Sequence, residues 1–247
     1  MERFNLSTLS PADVVLCGAG VARAAAEAQS LEDAADQTVQ YLYSALWDPH
    51  RDGPATALVR FYRTINFADL DPALQGYAAS AMRPGKPWPS MKCFTLMGTA
   101  GELPEWNRRQ ASAAHRAVPL SSRAAIERLP MVSRLIRDLG VSVDALVDPP
   151  VSETTSDPGV PLNVFYVRRA EGNRSVPDQQ FVRKHGIQSV VAFGGSISTS
   201  DLWTIILFTR VELRPEVAGR FRLLALDVSI AVLSRLRLRL FTAHPPH

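Results

Sequence analysis

The sequence is poor in the features that mark many functional classes. It has only two cysteines, Cys17 and Cys93, far apart in the chain, so a disulfide framework is not expected and both read as small buried hydrophobes. No apolar run approaches the roughly 18 to 20 residues that cross a bilayer. The N-terminus MERFNLSTLS has no basic region followed by a hydrophobic stretch, which argues against export. A cytoplasmic protein without membrane contact is expected. With 27 Lys+Arg against 24 Asp+Glu, the net charge of +3 is too small to imply nucleic-acid binding. The five histidines do not pair, and HxxxH, HExxH and CxxC are all missing, so no metal site is expected. There is no GxSxG elbow to present a serine nucleophile. Cys17-Gly18-Ala19-Gly20 after Val14-Val15-Leu16 opens like a dinucleotide-binding loop, but Arg23 stands where the third glycine belongs and no βαβ unit surrounds it. No catalytic residue is assigned, and the chain is not expected to be an enzyme.

What is present is ordinary globular material: 247 residues, 46% hydrophobic and 21% charged. Ser10-Pro11-Ala12-Asp13 supplies a cap, a proline for the first turn and an acid, and predicts a helix. Ser30-Leu31-Glu32-Asp33 repeats the signal, with Ala34, Ala35, Val39, Leu42 and Leu46 on one face, predicting a second helix to about Trp47. Strands are predicted at 56–64, 91–99 and 162–168, and a hairpin at 187–193 and 202–211, with Gly194-Gly195 in its turn. Short helices are expected at 71–82, within 121–139 with a break at Pro130, and at 179–184. A long apolar helix opens at Pro215. The segments 101–116 and 148–161 read as loops.

The order of elements is that of an antiparallel sheet with helices on its faces, an α+β plan. Several segments sharpen this: Ala57 to Tyr62 with Asp69-Leu70-Asp71-Pro72, Met91 to Gly101, Pro104 to Arg108 leading to His115, Leu129-Pro130-Met131, Asn163-Val164-Phe165, Val176 to Gly195, and Asp201 to Arg210. In this order they resemble a GAF-like input domain of bacterial sensor proteins, the type found beside PAS, histidine kinase or serine phosphatase domains. The resemblance implies a GAF/PAS-like antiparallel β-sheet flanked by helices, with N- and C-terminal helices packing together. It divides the chain into an N-terminal helical extension (1–30), a GAF-like sensory domain (31–241) and a flexible tail (242–247). It implies sensing and regulation, with a small-molecule ligand and a histidine kinase or phosphatase partner, while the apolar residues spread around the helix opening at Pro215 point to a homodimer; a haem or flavin is compatible but not indicated. No output domain follows within the sequence, so either a separate partner receives the signal or the domain is a stand-alone relic.

Cys93, Trp106, Asn107, Arg108, Ser112 and His115 are the candidate ligand-binding residues. Arg presents a planar fork for carboxylate or phosphate, Trp a stacking surface, and Asn, Ser or His directional hydrogen bonds. The alternative for 101–116 is a solvated loop anchored by Trp106. The run Arg235-Leu236-Arg237-Leu238-Arg239-Leu240 has a period near two and reads as a helix end or extended tail packed on another subunit, while Arg214, Arg220 and Arg222 form a solvated face or interface rim. Three readings of the whole remain open: a ligand-controlled signalling domain, a ligand-free dimeric interaction scaffold and, third, an uncharacterised enzyme.

Overall fold

A computed structural model describes residues 2–148, 162–198, 200–233 and 239–242. Most of the loop expected at 148–161, most of the 235–240 alternation, and the tail with His244 and His247 lie outside the described residues.

The chain opens with β1 (Phe4–Asn5) and α1 (Pro11–Ala24), whose capping box is formed by Ser10 and Asp13. Helix α2 (Leu31–Ala45) is capped by the Ser30 side chain, which accepts from the Asp33 N–H. It ends at Ala45 rather than near Trp47, because Leu46 turns extended and β2 (Leu46–Asp48) pairs in parallel with β1. That tertiary partner lies 42 residues away and leaves no local mark. A short β3 (Gly53–Pro54) completes this small sheet.

The main sheet begins with β4 (Thr56–Asn66). Helix α3 (Pro72–Ala81), capped by Asp71, leads to β5 (Lys92–Gly101) and β6 (Ala117–Pro119). Three short helices follow, α4 (Arg123–Glu127), α5 (Pro130–Asp138) and α6 (Val143–Val147). Then come β7 (Asn163–Val167), α7 (Gln179–Lys184), the hairpin β8 (Ser189–Ser198) and β9 (Asp201–Thr209), and α8 (Pro215–Val228), which passes into a wide π turn, Ser229–Leu233. Among the described residues the sheet has six strands in the order β6-β5-β4-β9-β8-β7, antiparallel throughout.

Gly194 and Gly195 are not turn residues. They sit inside β8 opposite Thr204 and Trp203, and the reversal comes later, between Ser198 and Asp201. A Cβ on Gly194 would overlap the Trp203 carbonyl oxygen, so close backbone approach, not turn geometry, requires glycine there.

Strand alternation gives the sheet two apolar faces. On one, Phe61, Cys93, Met97, Phe193, Trp203, Ile205 and Leu207 pack under α1, α2 and α8. On the other, Tyr62, Phe94, Leu96, Val190, Ala192 and Ile206 pack against Leu135, Ile136, Leu146 and Val182 from the short helices. Phe4, Leu6, Val14, Cys17 and Val21 share the first core, so the N-terminal segment is packed into the domain. Gly18 and Gly20 let α1 approach its neighbours: a Cβ at either would overlap Asp227 on α8 or Tyr41 on α2. These glycines, set aside above as a dinucleotide-binding loop, serve a helix–helix contact.

Arg239 pairs in parallel with Ser30 of its own chain, and its carbonyl accepts from the Leu31 N–H at 2.9 Å. Leu240 accepts from the Glu32 N–H at 3.0 Å, and Phe241 packs on the first core. The described residues 239–242 thus pack on α2 of their own chain, whose first-turn donors Leu31 N–H and Glu32 N–H need acceptors.

Candidate functional site

A cavity of about 400 Å³ opens on the face carrying the short helices. Its floor is the sheet, with Leu58, Arg60 and Tyr62 from β4, Phe94 from β5, and Ile206 and Phe208 from β9. Its walls come from the 106–118 loop, the 128–135 segment and the 176–181 segment. Tyr62 and Phe94 stack at 4.5 Å between ring centroids and form the flat base.

The roofing loop is held by its own side chains. Asn107 accepts from the Gly101 N–H at 3.0 Å and donates to the Gly101 and Leu103 carbonyls at 2.9 and 3.0 Å. This staple closes two 3-10 turns, Pro104–Asn107 and Arg109–Ala111. Trp106 leans on His185 at 4.7 Å and Phe181 at 5.8 Å between ring centroids. Behind it Glu102 bridges His185 and Arg210, fixing the start of the loop to the end of β9.

Polar groups on the floor and rim are few. Arg60 donates through one terminal nitrogen to the Tyr62 hydroxyl at 3.2 Å and through the other to the Ser112 hydroxyl at 3.0 Å. Ser112 in turn donates to the Ala114 carbonyl at 3.1 Å. His115 stands exposed at the mouth with left-handed backbone, φ 59°, a conformation uncommon for a residue with a Cβ and concentrated at functional positions. Its N–H donates to the Tyr77 hydroxyl at 2.9 Å. The surrounding wall and then Arg60 hold its imidazole below the ordinary value, with Asp178 acting in the opposite sense. It is therefore neutral at neutral pH.

The six candidate residues separate. Trp106 and His115 line the cavity and Ser112 anchors Arg60 beside it. Asn107 is committed to the loop's backbone. Arg108 points to the other side of the loop, into a smaller recess with Asp33, Asp36 and Glu32. Cys93 is on the opposite face of the sheet, because its pairing with Ile65 sends its side chain into the core beneath the long helices. Burial pushes its thiol up to about 12, so a thioether or redox role at the cavity is excluded by geometry and by protonation. Arg60, Tyr62 and Asp178 were not singled out from the sequence. A basic residue inside the apolar strand Ala57 to Tyr62 was the available signal for Arg60.

The small recess joins the roofing loop to both ends of the domain. Arg109 Nε donates to Glu32 Oε1 at 2.8 Å, and its guanidinium lies 3.1 Å from Asp71. Glu32 also accepts from Gln110 at 3.3 Å and from the Thr242 N–H at 3.0 Å. Among the described residues no group of histidine, cysteine and acidic side chains is arranged to hold a metal ion, and no helix is long and apolar enough to cross a membrane.

No protein-family model matches the chain, and no curated protein matches it. Solved structures are similar at low identity. Free methionine-R-sulfoxide reductase from Neisseria meningitidis is 10% identical with a TM-score of 0.48, over 96% of this chain and 99% of that one. The phycoerythrobilin-bound GAF domain of a cyanobacterial phytochrome is 11% identical with a TM-score of 0.40, over 93% and 97%. The GAF domain of an Acinetobacter phosphoenolpyruvate-protein phosphotransferase is 12% identical with a TM-score of 0.37, over 90% and 94%. The architecture is read from this chain's own strand order and packing: an α+β domain with a six-stranded antiparallel sheet, its terminal helices together on one face and a loop-roofed cavity on the other.

Proposed function

We propose that this protein is a cytoplasmic bacterial sensor domain that takes up a small molecule in the 400 Å³ cavity and relays occupancy to a separate partner protein, of the histidine kinase or phosphatase kind. The cavity carries this reading: its size lies in the range of small-molecule sites, and its lining is mostly apolar with a few convergent polar groups. Binding without turnover is supported by the commitments of those groups, since Arg60 engages Tyr62 and Ser112 while Asp178 caps α7. The Glu32 junction gives the roofing loop a physical route to α2 and to residues 239–242. A relay requires only that the ligand bind two arrangements of that junction with different affinity.

The test is a thermal-shift and native mass-spectrometry screen on wild type and Val132→Trp, which places a large side chain on the cavity wall. Ligands that stabilise wild type and lose their effect in the variant are the expected result. Hits indifferent to the filled cavity would sink the reading.

A homodimer is favoured by one observation. Val15 and Leu16 on α1, and Leu223, Leu226 and Ile230 along α8 and its π turn, are 46–64% exposed, an apolar stripe on packed neighbouring helices. The positions 223, 226 and 230 share one helical face. Sedimentation at micromolar concentration should show a dimer in wild type and a monomer in Leu226→Glu/Ile230→Glu; a monomeric wild type would remove this element.

A further inference from the structure

We propose, resting on the reading of the cavity as a ligand site, that its ligand is an apolar monoanion: a carboxylate on an aryl or alkyl body, its charge held by Arg60. The guanidinium rises from the central strand into a largely apolar chamber. It has no carboxylate at ion-pair distance among the described residues, and its buried Nε–H has no acceptor. Three other deeply placed cations hold carboxylates, while Arg63 Nε and Nη1 and Arg116 Nε lie buried without an acceptor as Arg60 Nε does. Lys92 holds Asp201 at 2.8 Å, Arg109 holds Glu32 and Asp71, and Arg210 holds Glu102. Arg63, on the same strand but facing the long helices, also lacks a salt bridge, yet it lies in the field of Asp201 and Asp69. An arginine keeps its charge, and a part-buried charge with no counterion beside it is poorly compensated. Arg60 therefore favours whatever brings an anion.

The remaining lining sets the rest of the ligand's chemistry. Its one acid among the described residues, Asp178, has Oδ1 committed to the Phe181 N–H at 2.9 Å. Neutral His115 adds a hydrogen-bonding rim without a second interior charge. Arg128 lies exposed at the mouth, in water. One interior cation matches one anionic group, and a dianion would carry an unmatched charge into an apolar chamber. Leu58, Phe94, Trp106, Phe181 and Phe208 offer nothing polar to the ligand's body apart from the Trp106 indole N–H. An apolar cavity of about 150 Å³ admits benzene, so this one has room for roughly two ring equivalents plus the carboxylate.

The test is isothermal titration of the purified full chain with 1-naphthaleneacetate, 4-phenylbutyrate and octanoate, each beside its primary amide. Wild type, Arg60→Gln, Arg60→Lys and Val132→Trp are compared, with unfolding transitions recorded to confirm folding. Hydrogen bonds to charged groups lead to an expected preference for acid over amide of about ten- to a hundredfold in wild type. Arg60→Gln should lose that preference, Arg60→Lys should keep part of it, and Val132→Trp should bind neither probe. Acid and amide binding wild type equally, both lost in Val132→Trp, would overturn the anion assignment while leaving the cavity a ligand site. So would an acid preference that survives Arg60→Gln. Failure of every acid and amide to bind wild type at millimolar concentration would overturn the cavity reading with it.

Discussion

Removing the arginine from the Glu32 junction should destabilise the domain far more than removing the glutamate's charge. Glu32 and Arg109 are each 7% exposed and joined at 2.8 Å. In Arg109→Met the glutamate keeps only neutral donors, Gln110 and the Thr242 N–H. Breaking a buried pair from one side costs about 3–5 kcal/mol. With a urea dependence near the upper end of about 1–3 kcal/mol per molar, the midpoint should fall by roughly 1–2 M. In Glu32→Gln, Arg109 retains Asp71 at 3.1 Å and the amide oxygen can still accept from Nε, so the loss is that of one charge-assisted bond, about 1.5–3 kcal/mol or less. Glu32→Leu/Arg109→Met should cost much less than the sum of its two single changes, because the second removes a charge the first left stranded. Equilibrium urea unfolding measures all of these, and hydrogen exchange should show residues 104–116 and the Thr242 amide loosening together in Arg109→Met. An Arg109→Met variant within 1 kcal/mol of wild type, or strict additivity in the double variant, would refute the reasoning.

Three further outcomes follow from the packing. Gly194→Val puts a side chain onto the Trp203 carbonyl and should cost at least about 2 kcal/mol, read as a fall in thermal midpoint; a neutral change would mean that β8 and β9 do not approach as described. Burial, reinforced by Glu32 and Asp33, raises Asp36 to about 6 from 3.8 despite the opposing Thr99 backbone bond. The folded state then holds this proton more tightly than the unfolded chain, so the group's contribution is full below 3.8 and declines until pH passes about 6. Asp36→Asn should therefore raise the urea midpoint relative to wild type near neutral pH more than at pH 4, and an equal effect at both would count against it. Cys17 and Cys93 are buried, with thiols pushed to about 12, so Ellman's reagent should label neither until the protein unfolds; prompt labelling of Cys93 would place it wrongly.

Local chemistry was readable wherever a few neighbouring residues decide the outcome. Ser10 with Asp13, Ser30, Asp71 and Ser122 start helices because their side chains satisfy backbone donors within three residues. Gly140, at φ 78°, ends the α5 segment for the same kind of reason. The β-branched and aromatic texture of 56–64 and 202–211 likewise announces strands, and the order of the elements announces an antiparallel α+β plan.

Which face of each strand became a cavity floor was decided elsewhere. Alternation says that Cys93 and Phe94 point oppositely, but only pairing with Ile65 and Thr64 assigns the thiol to the helix side and the ring to the cavity. The register shift between Phe61 and Tyr62 then leaves Met97 as the extra residue of β5 and changes the course of the strand beyond it. Gly194-Gly195 looked like a turn because the Trp203 carbonyl that excludes a Cβ there stands on another strand. Arg60 looked like one polar residue in an apolar run until Tyr62, Ser112 and His115 were gathered around it. The sequence by itself determined the helix starts and the main strands, since caps, prolines and local composition act over one or two turns of chain. The tertiary structure alone decided the site, because a charge lacking a counterion is a property of what surrounds it in space.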